Sequence, residues 1–164
     1  MKRNIFITGA SSGIGKSMAY SFGKNGDNLI LCARRKEKLQ EIKNDIEGRY
    51  GVKVDIYELD VTEYEKVREI VKEIIKNSGK IDVLINNAGY GSYGAIEDVE
   101  ISEAKMQFEV NLFGLARLVQ LVLPHMRKQK SGRIINVSSM GGRMTSYFGG
   151  WYHATKYALE AFSD

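Results

Sequence analysis

Short apolar runs rich in Ile, Val and Leu recur near residues 3–8, 28–33, 52–58, 81–86 and 132–138, each bounded by polar or glycine-containing segments. Runs of that length without strict alternation suit strands buried on both faces of a parallel sheet. Between them the period lengthens. From Glu63 to Lys76, the residues Val67, Ile70, Val71, Ile74 and Ile75 recur at helical spacing and form one apolar stripe, with Thr62 as the expected N-cap and Gly79 as the expected stop. Leu39, Ile42 and Ile46 predict a second helix ahead of Gly48 and Gly51, and Ile14, Met18 and Phe22 a third directly after a glycine-rich turn. Strand and helix in alternation predict an α/β fold built on a doubly wound parallel sheet.

The segment from Ser102 to Lys128 reads as a longer helix of a different kind. Nine of the twelve residues from Leu112 to Leu123 are Leu, Phe, Ala or Val, so its apolar surface extends beyond one stripe. Such a helix packs against the sheet and also against something else: a second subunit, or further core that covers it fully. No repeat, low-complexity tract or linker interrupts the 164 residues, and 43% hydrophobic content suits one domain with one substantial core.

Charge and cysteine usage narrow the class. Lys and Arg number 24 against 20 for Asp and Glu, interspersed along the predicted helices, so no basic face suited to nucleic acid emerges. Cys32 is the one cysteine, which excludes an intramolecular disulfide, and no Cys/His cluster has metal-ligand spacing. The apolar run after Met1-Lys2-Arg3 breaks at Thr8-Gly9, too early for an export signal or membrane span, so a cytoplasmic location is expected.

The candidate chemistry begins at that break. Thr8-Gly9-Ala10-Ser11-Ser12-Gly13-Ile14-Gly15 lies between a predicted strand and a predicted helix, with glycines spaced G-x-x-x-G-x-G. Residues without side chains let the backbone turn sharply and let phosphate oxygens approach its amides at the positive end of a helix. This predicts a dinucleotide pyrophosphate site. An NAD-preferring site usually carries Asp or Glu at the end of the second strand. Here that strand ends Leu31-Cys32-Ala33-Arg34-Arg35, and guanidinium groups suit a 2′-phosphate, so NADP(H) is the expected cofactor, with Arg34 and Arg35 as binders.

Tyr152 and Lys156 are four residues apart on a predicted helix, which sets an ammonium beside a phenol. A cation there favours the phenolate and makes the phenol a usable acid or base for carbonyl chemistry. Tyr20 and Lys24 share the spacing, but nothing around them suggests chemistry. Ahead of Tyr152, by contrast, a predicted strand ends in Ser138-Ser139, and strand ends are where open α/β sheets bind ligands. Ser139 can hold a substrate oxygen by hydrogen bond. Asn111 sits inside the long helix, where its amide needs partners; a helix distortion there that binds water would link Lys156 to solvent.

With these residues assembled, the chain resembles the short-chain dehydrogenase/reductase family over nearly its whole length. The glycine turn matches the family's cofactor turn, Asp60, followed by Val61, matches its adenine-contacting acid, and Asn86-Asn87-Ala88-Gly89 matches the motif closing its fourth strand. The resemblance implies a Rossmann-like domain and a tetrad of Asn111, Ser139, Tyr152 and Lys156, with Lys156 also on the nicotinamide ribose. Ser139 is preferred over Ser138 for its place thirteen residues before Tyr152. It also implies cofactor contacts from Gly9, Ser11, Ser12, Gly13, Ile14, Gly15, Asn87, Ala88 and Gly89.

Family members continue past the helix carrying Tyr152, so the resemblance implies a longer native protein, with a sixth strand, further helices and a seventh strand beyond Asp164. The expected activity is NADP(H)-dependent interconversion of a carbonyl and a secondary alcohol, with a homodimer or homotetramer as the assembly. Alternatives are a truncated, non-catalytic dinucleotide-binding protein and, within the family, a 3-oxoacyl thioester reductase. Tyr90, Tyr93, Met144, Tyr147, Phe148 and Trp151 lie in segments near the expected pocket, where they either favour an apolar substrate or serve packing.

Overall fold

The structure, a computed structural model, describes residues 2–164. Five strands, β1 (Asn4–Thr8), β2 (Asn28–Ala33), β3 (Val54–Glu58), β4 (Val83–Asn86) and β5 (Arg133–Asn136), form one parallel sheet in the order β3-β2-β1-β4-β5. All five fall inside the apolar runs. Period-two alternation divides each strand between two cores. Ile5, Ile7, Leu29, Leu31 and Ile85 face one layer, with Leu39, Ile42 and Ile46 of a helix, while Phe6, Ile30, Cys32 and Leu84 face the other, with Val67, Val71 and Ile74. In register, Phe6 stands between Ile30 and Leu84, all fully buried or nearly so.

Helices α1 (Gly13–Lys24), α2 (Lys36–Tyr50) and α3 (Tyr64–Ser78) connect the first four strands. The α2 helix passes through Gly48 and ends at Gly51, which takes the left-handed conformation. At the start of α3 the structure corrects the expected cap. Glu63 occupies the N-cap position without a side-chain bond, while Thr62 is drawn the other way: its N–H and hydroxyl both donate to Asp60 Oδ1, at 3.0 and 2.8 Å. A carboxylate two residues upstream competes for the threonine and wins.

The long helix runs from Ile101 to Gln129. It comprises α4 (Ile101–Phe108), a π-helical turn (Glu109–Gly114) centred near Asn111, and α5 (Leu115–Gln129). The distortion expected at Asn111 is therefore present. By length and composition alone this helix could cross a membrane. In the structure, Leu118, Val122 and Met126 of its inner face join the second core beside α3. A short 3-10 turn (Met140–Gly142) follows β5 and leads to α6 (Gly150–Ser163), the helix of Tyr152 and Lys156.

Candidate functional site

In the order β3-β2-β1-β4-β5 the direction of winding reverses at β1, so the chain leaves β1 and β4 toward opposite layers. A crevice opens at the carboxyl ends of the strands at such a switch point. Here it is a cleft of about 780 Å³, lined among others by Gly9, Gly13, Arg34, Asp60, Asn87 and Tyr152. Thr8 sets its floor. Its Oγ1 accepts the N–H groups of Asn87 and Ala88 at 3.0 and 3.1 Å, while Asn87 Nδ2 donates to the carbonyls of Thr8 and Gly9 at 3.0 and 3.3 Å. The ends of β1 and β4 are thus laced together by side chains.

The turn after β1 passes a direct test for a dinucleotide. A Cβ on Gly15 would collide with the Gly9 carbonyl and the Asn87 amide, so α1 starts this close to the strand only because residue 15 is glycine. Gly13, at φ +53°, faces open space, with nothing within 4 Å of where its Cβ would stand. The first turn of α1 therefore presents its amides to the cleft without obstruction, and no acidic residue occupies that turn. These features fit a bound pyrophosphate.

The two arginines after β2 separate. Arg35 folds onto the glycine turn, with Nη2 donating to Ser11 and Ser12 Oγ at 2.9 and 2.7 Å and Nε to Ser11 Oγ at 3.2 Å. Arg34 extends into solvent, its side chain 81% exposed, with only a 4.0 Å contact to Asp60 Oδ2. Both line the cleft, as do Ser11, Ser12, Ile14, Val61, Ala88 and Gly89. Gly15 lies beneath it.

On the far side, Lys156 is buried and donates from Nζ to the Val137 carbonyl at 3.1 Å, with Nζ 5.9 Å from the centre of the Tyr152 ring. Burial pulls the Lys156 ammonium below its usual value, opposed by the charge of Glu160 one turn on. The Tyr152 ring packs against Gly91, where a Cβ would stand 2.9 Å from Cδ2, and tilts against Tyr93 at 5.7 Å between ring centres.

Asn111 and Ser139 do not line the cleft. They brace it. Asn111, 1% exposed, donates to the Tyr90 carbonyl at 2.8 Å and to Thr155 Oγ1 at 3.0 Å and accepts the Tyr90 N–H at 3.0 Å, which ties the π-helical turn to the loop after β4 and to α6. Ser139 Oγ accepts the Gly141 N–H at 3.0 Å, leaving its hydroxyl proton available, while Ser138 is the serine on the cleft wall. Sequence reasoning passed over Thr155; a threonine one residue before the lysine, inside an apolar helix face, was the signal available. Among the described residues no group of three or more His, Cys, Asp or Glu side chains could hold a metal ion.

Residues 3–164 match the family model described as short chain dehydrogenase. The chain belongs to the short-chain dehydrogenase/reductase family. It is 41% identical over 160 residues to a 3-ketodihydrosphingosine reductase of Bacteroides thetaiotaomicron, a match covering 98% of this chain and 55% of the relative. Among solved structures, L-sorbose reductase from Gluconobacter frateurii, complexed with NADPH and L-sorbose, superimposes with a TM-score of 0.95 at 32% identity, over 99% of this chain and 62% of that one. An NAD⁺-bound xylitol dehydrogenase gives 0.93 at 29% identity, over 98% and 62%. The chain spans about half to two thirds of the length of the curated relatives it matches. The two neighbours thus differ in the 2′-phosphate of the dinucleotide they hold.

Proposed function

We propose that this protein is an NADP(H)-dependent oxidoreductase that interconverts a carbonyl and a secondary alcohol, with Tyr152 as general acid in reduction and general base in oxidation. The observation that carries this reading is the company of Tyr152: a buried ammonium beside its ring, in the cleft at the sheet's switch point, opposite an open glycine turn. When bound, a nicotinamide dinucleotide would supply the hydride in reduction and accept it in oxidation. Ser139, next to the cleft-wall residue Ser138 and with its hydroxyl proton free, is the proposed hydrogen-bond donor to the oxygen of a substrate that fills the cleft, and the Tyr152 hydroxyl gives that oxygen its proton. Lys156 holds positive charge beside the phenol and grips the nicotinamide ribose. Asn111, through the π-helical turn, keeps a water-accessible route by which the proton is replaced from solvent.

Arg34 is the proposed partner of the 2′-phosphate. Arg35 braces Ser11 and Ser12 of the glycine turn, the proposed pyrophosphate site, with Asp60 beside the adenine. Apolar surface beside Tyr152 favours an apolar ketone: Met106, about half exposed, lines the cleft, and Tyr93 packs on the Tyr152 ring. A relative named for reducing 3-ketodihydrosphingosine supports that class. A cytoplasmic location is proposed with it.

The test is Tyr152→Phe in the full-length protein, assayed by NADPH consumption over a panel of ketones and aldehydes. Turnover should fall at least about a hundredfold while cofactor affinity holds within about twofold, because the ring stays and only the acid is lost. Tyr20→Phe should turn over normally. Equal losses in both would sink the assignment.

A further inference from the structure

One buried side chain beside Tyr152 has no part in the chemistry just described. His153, 7% exposed, accepts the backbone N–H of Ser146 at Nε2 (2.9 Å), with the Ser146 hydroxyl also 3.0 Å from Nε2, and its Nδ1 lies 3.0 Å from the Gly141 carbonyl. A backbone N–H only donates and a carbonyl only accepts. Both bonds therefore exist together in a single form of the ring, neutral with its proton on Nδ1. Gly141 is gripped from both sides, since its own N–H donates to Ser139 Oγ at 3.0 Å. The path from Ser139 to the residue after Tyr152 thus runs through a single residue, Gly141.

The packing around the ring is built for it. A Cβ on Gly141 would stand 2.8 Å from Nδ1, and one on Gly149 2.5 Å from Nε2, so the segment closes on the imidazole at two glycines. Phe148, next to Gly149, sits at φ +63°, a left-handed backbone that a bulky residue keeps only where its surroundings fix it. Its carbonyl is held by the Gly94 N–H at 2.9 Å. The strain in this segment is thus balanced by two tethers, the second being His153.

We propose that His153 is a positioning residue: it clasps the Ser139–Gly149 segment to α6 and, through Gly141, sets the direction of the Ser139 hydroxyl toward the oxygen that Tyr152 protonates. This rests on the catalytic reading of Ser139 and Tyr152 given above. The clasp itself is tested without turnover. Nitrogen-15 NMR of the full-length protein, with the His153 ring signals assigned by their loss in His153→Gln, reports the His153 tautomer directly. The expected result near neutral pH is a fixed Nδ1-protonated ring; an Nε2-protonated or freely exchanging ring overturns the clasp.

The role is tested by kinetics with para-nitrobenzaldehyde and NADPH. Asparagine places an N–H donor where Nδ1 stands, so His153→Asn should stay within about threefold of wild-type kcat, whereas His153→Ala should lose about tenfold or more with NADPH affinity unchanged. Should the alanine variant not fold, His153→Gln serves instead. Its side chain can still accept from Ser146 but no longer donates to Gly141, and the same loss is expected. Equal kcat losses in the asparagine and alanine (or glutamine) variants, or none in either, overturn the positioning role. A fully active Tyr152→Phe would instead sink the catalytic reading, leaving the tautomer result to stand or fall separately.

Discussion

Two tyrosines with a lysine four residues on have opposite fates, and the difference lies in what surrounds each phenol. Tyr20 donates its hydroxyl to Asp45 at 2.7 Å, and burial together with that carboxylate pushes its pKa up to about 12, so it is held neutral and occupied. Tyr152 stands in the cleft with a lysine ammonium at its ring. Sequence could separate the pairs only by their neighbours in the chain, and it did so because a strand end and paired serines precede Tyr152. It could not separate Arg34 from Arg35, since which guanidinium the turn's serines capture depends on a contact between segments 23 or more residues apart. We expect Arg34→Ala to lower the NADPH/NADH affinity ratio about ten- to a hundredfold, the worth of about 1.5–3 kcal/mol of charge-assisted bonding. Arg35→Ala should weaken both cofactors, because it loosens the turn that holds the shared pyrophosphate. Titration of each variant with each cofactor decides this, and an unchanged ratio in Arg34→Ala would remove it from the phosphate site.

Among the elements, the strands and α3 were legible because burial on a sheet imposes one pattern and burial on one helix face another. The local exceptions were only partly so. A buried asparagine in an apolar helix signalled distortion, but its three bonds join a π-helical turn to Tyr90 and Thr155, partners that no local spacing encodes. Replacing it with leucine leaves those groups unpaired, so Asn111→Leu should cost about 2–4 kcal/mol in denaturant unfolding, and Thr155→Val, which loses both the bond from Asn111 and its own bond to the Tyr152 carbonyl, about 1–3 kcal/mol.

At the other end of the sheet, Arg3 before β1 holds Asp27 before β2 with a pair of bonds at 3.0 and 2.6 Å. The Arg3 bonds keep the Asp27 carboxyl below its ordinary value against the pull of burial. A depressed folded value means that the stabilisation is present above the unfolded value, about 3.9, and is lost as pH falls through the folded one. Half of the Arg3 side chain is in water, which screens the pair. Asp27→Asn should therefore cost about 1–2 kcal/mol at neutral pH, with the difference from wild type shrinking steadily below about pH 4.

For the whole molecule, the parallel sheet explains the cleft, and the long helix points beyond the chain. The expectation that the apolar stretch from Leu112 to Leu123 packs on more than the sheet meets a specific surface. Leu115, Leu118 and Val122 are buried, yet Phe113 remains 46% exposed, and Leu112, Ala116, Val119 and Leu123 are only partly covered. These five recur at helical spacing along one side of α5 and the turn before it, so they form a second stripe rather than scattered exposure. Full coverage by the chain's own core is thus not what the described residues show. A two-fold contact would let the stripe on one copy cover the same stripe on another, since an isologous interface needs only self-complementarity. We propose a homodimer or homotetramer for the full-length protein. Sedimentation at tens of micromolar, roughly the scale at which a stable contact persists, should give a single oligomer. Phe113→Asp with Ala116→Glu should shift it to monomer, because charges placed on a dry contact lose their solvation without gaining a partner. A wild-type protein that sediments as a monomer would show that this stripe is covered by some other means.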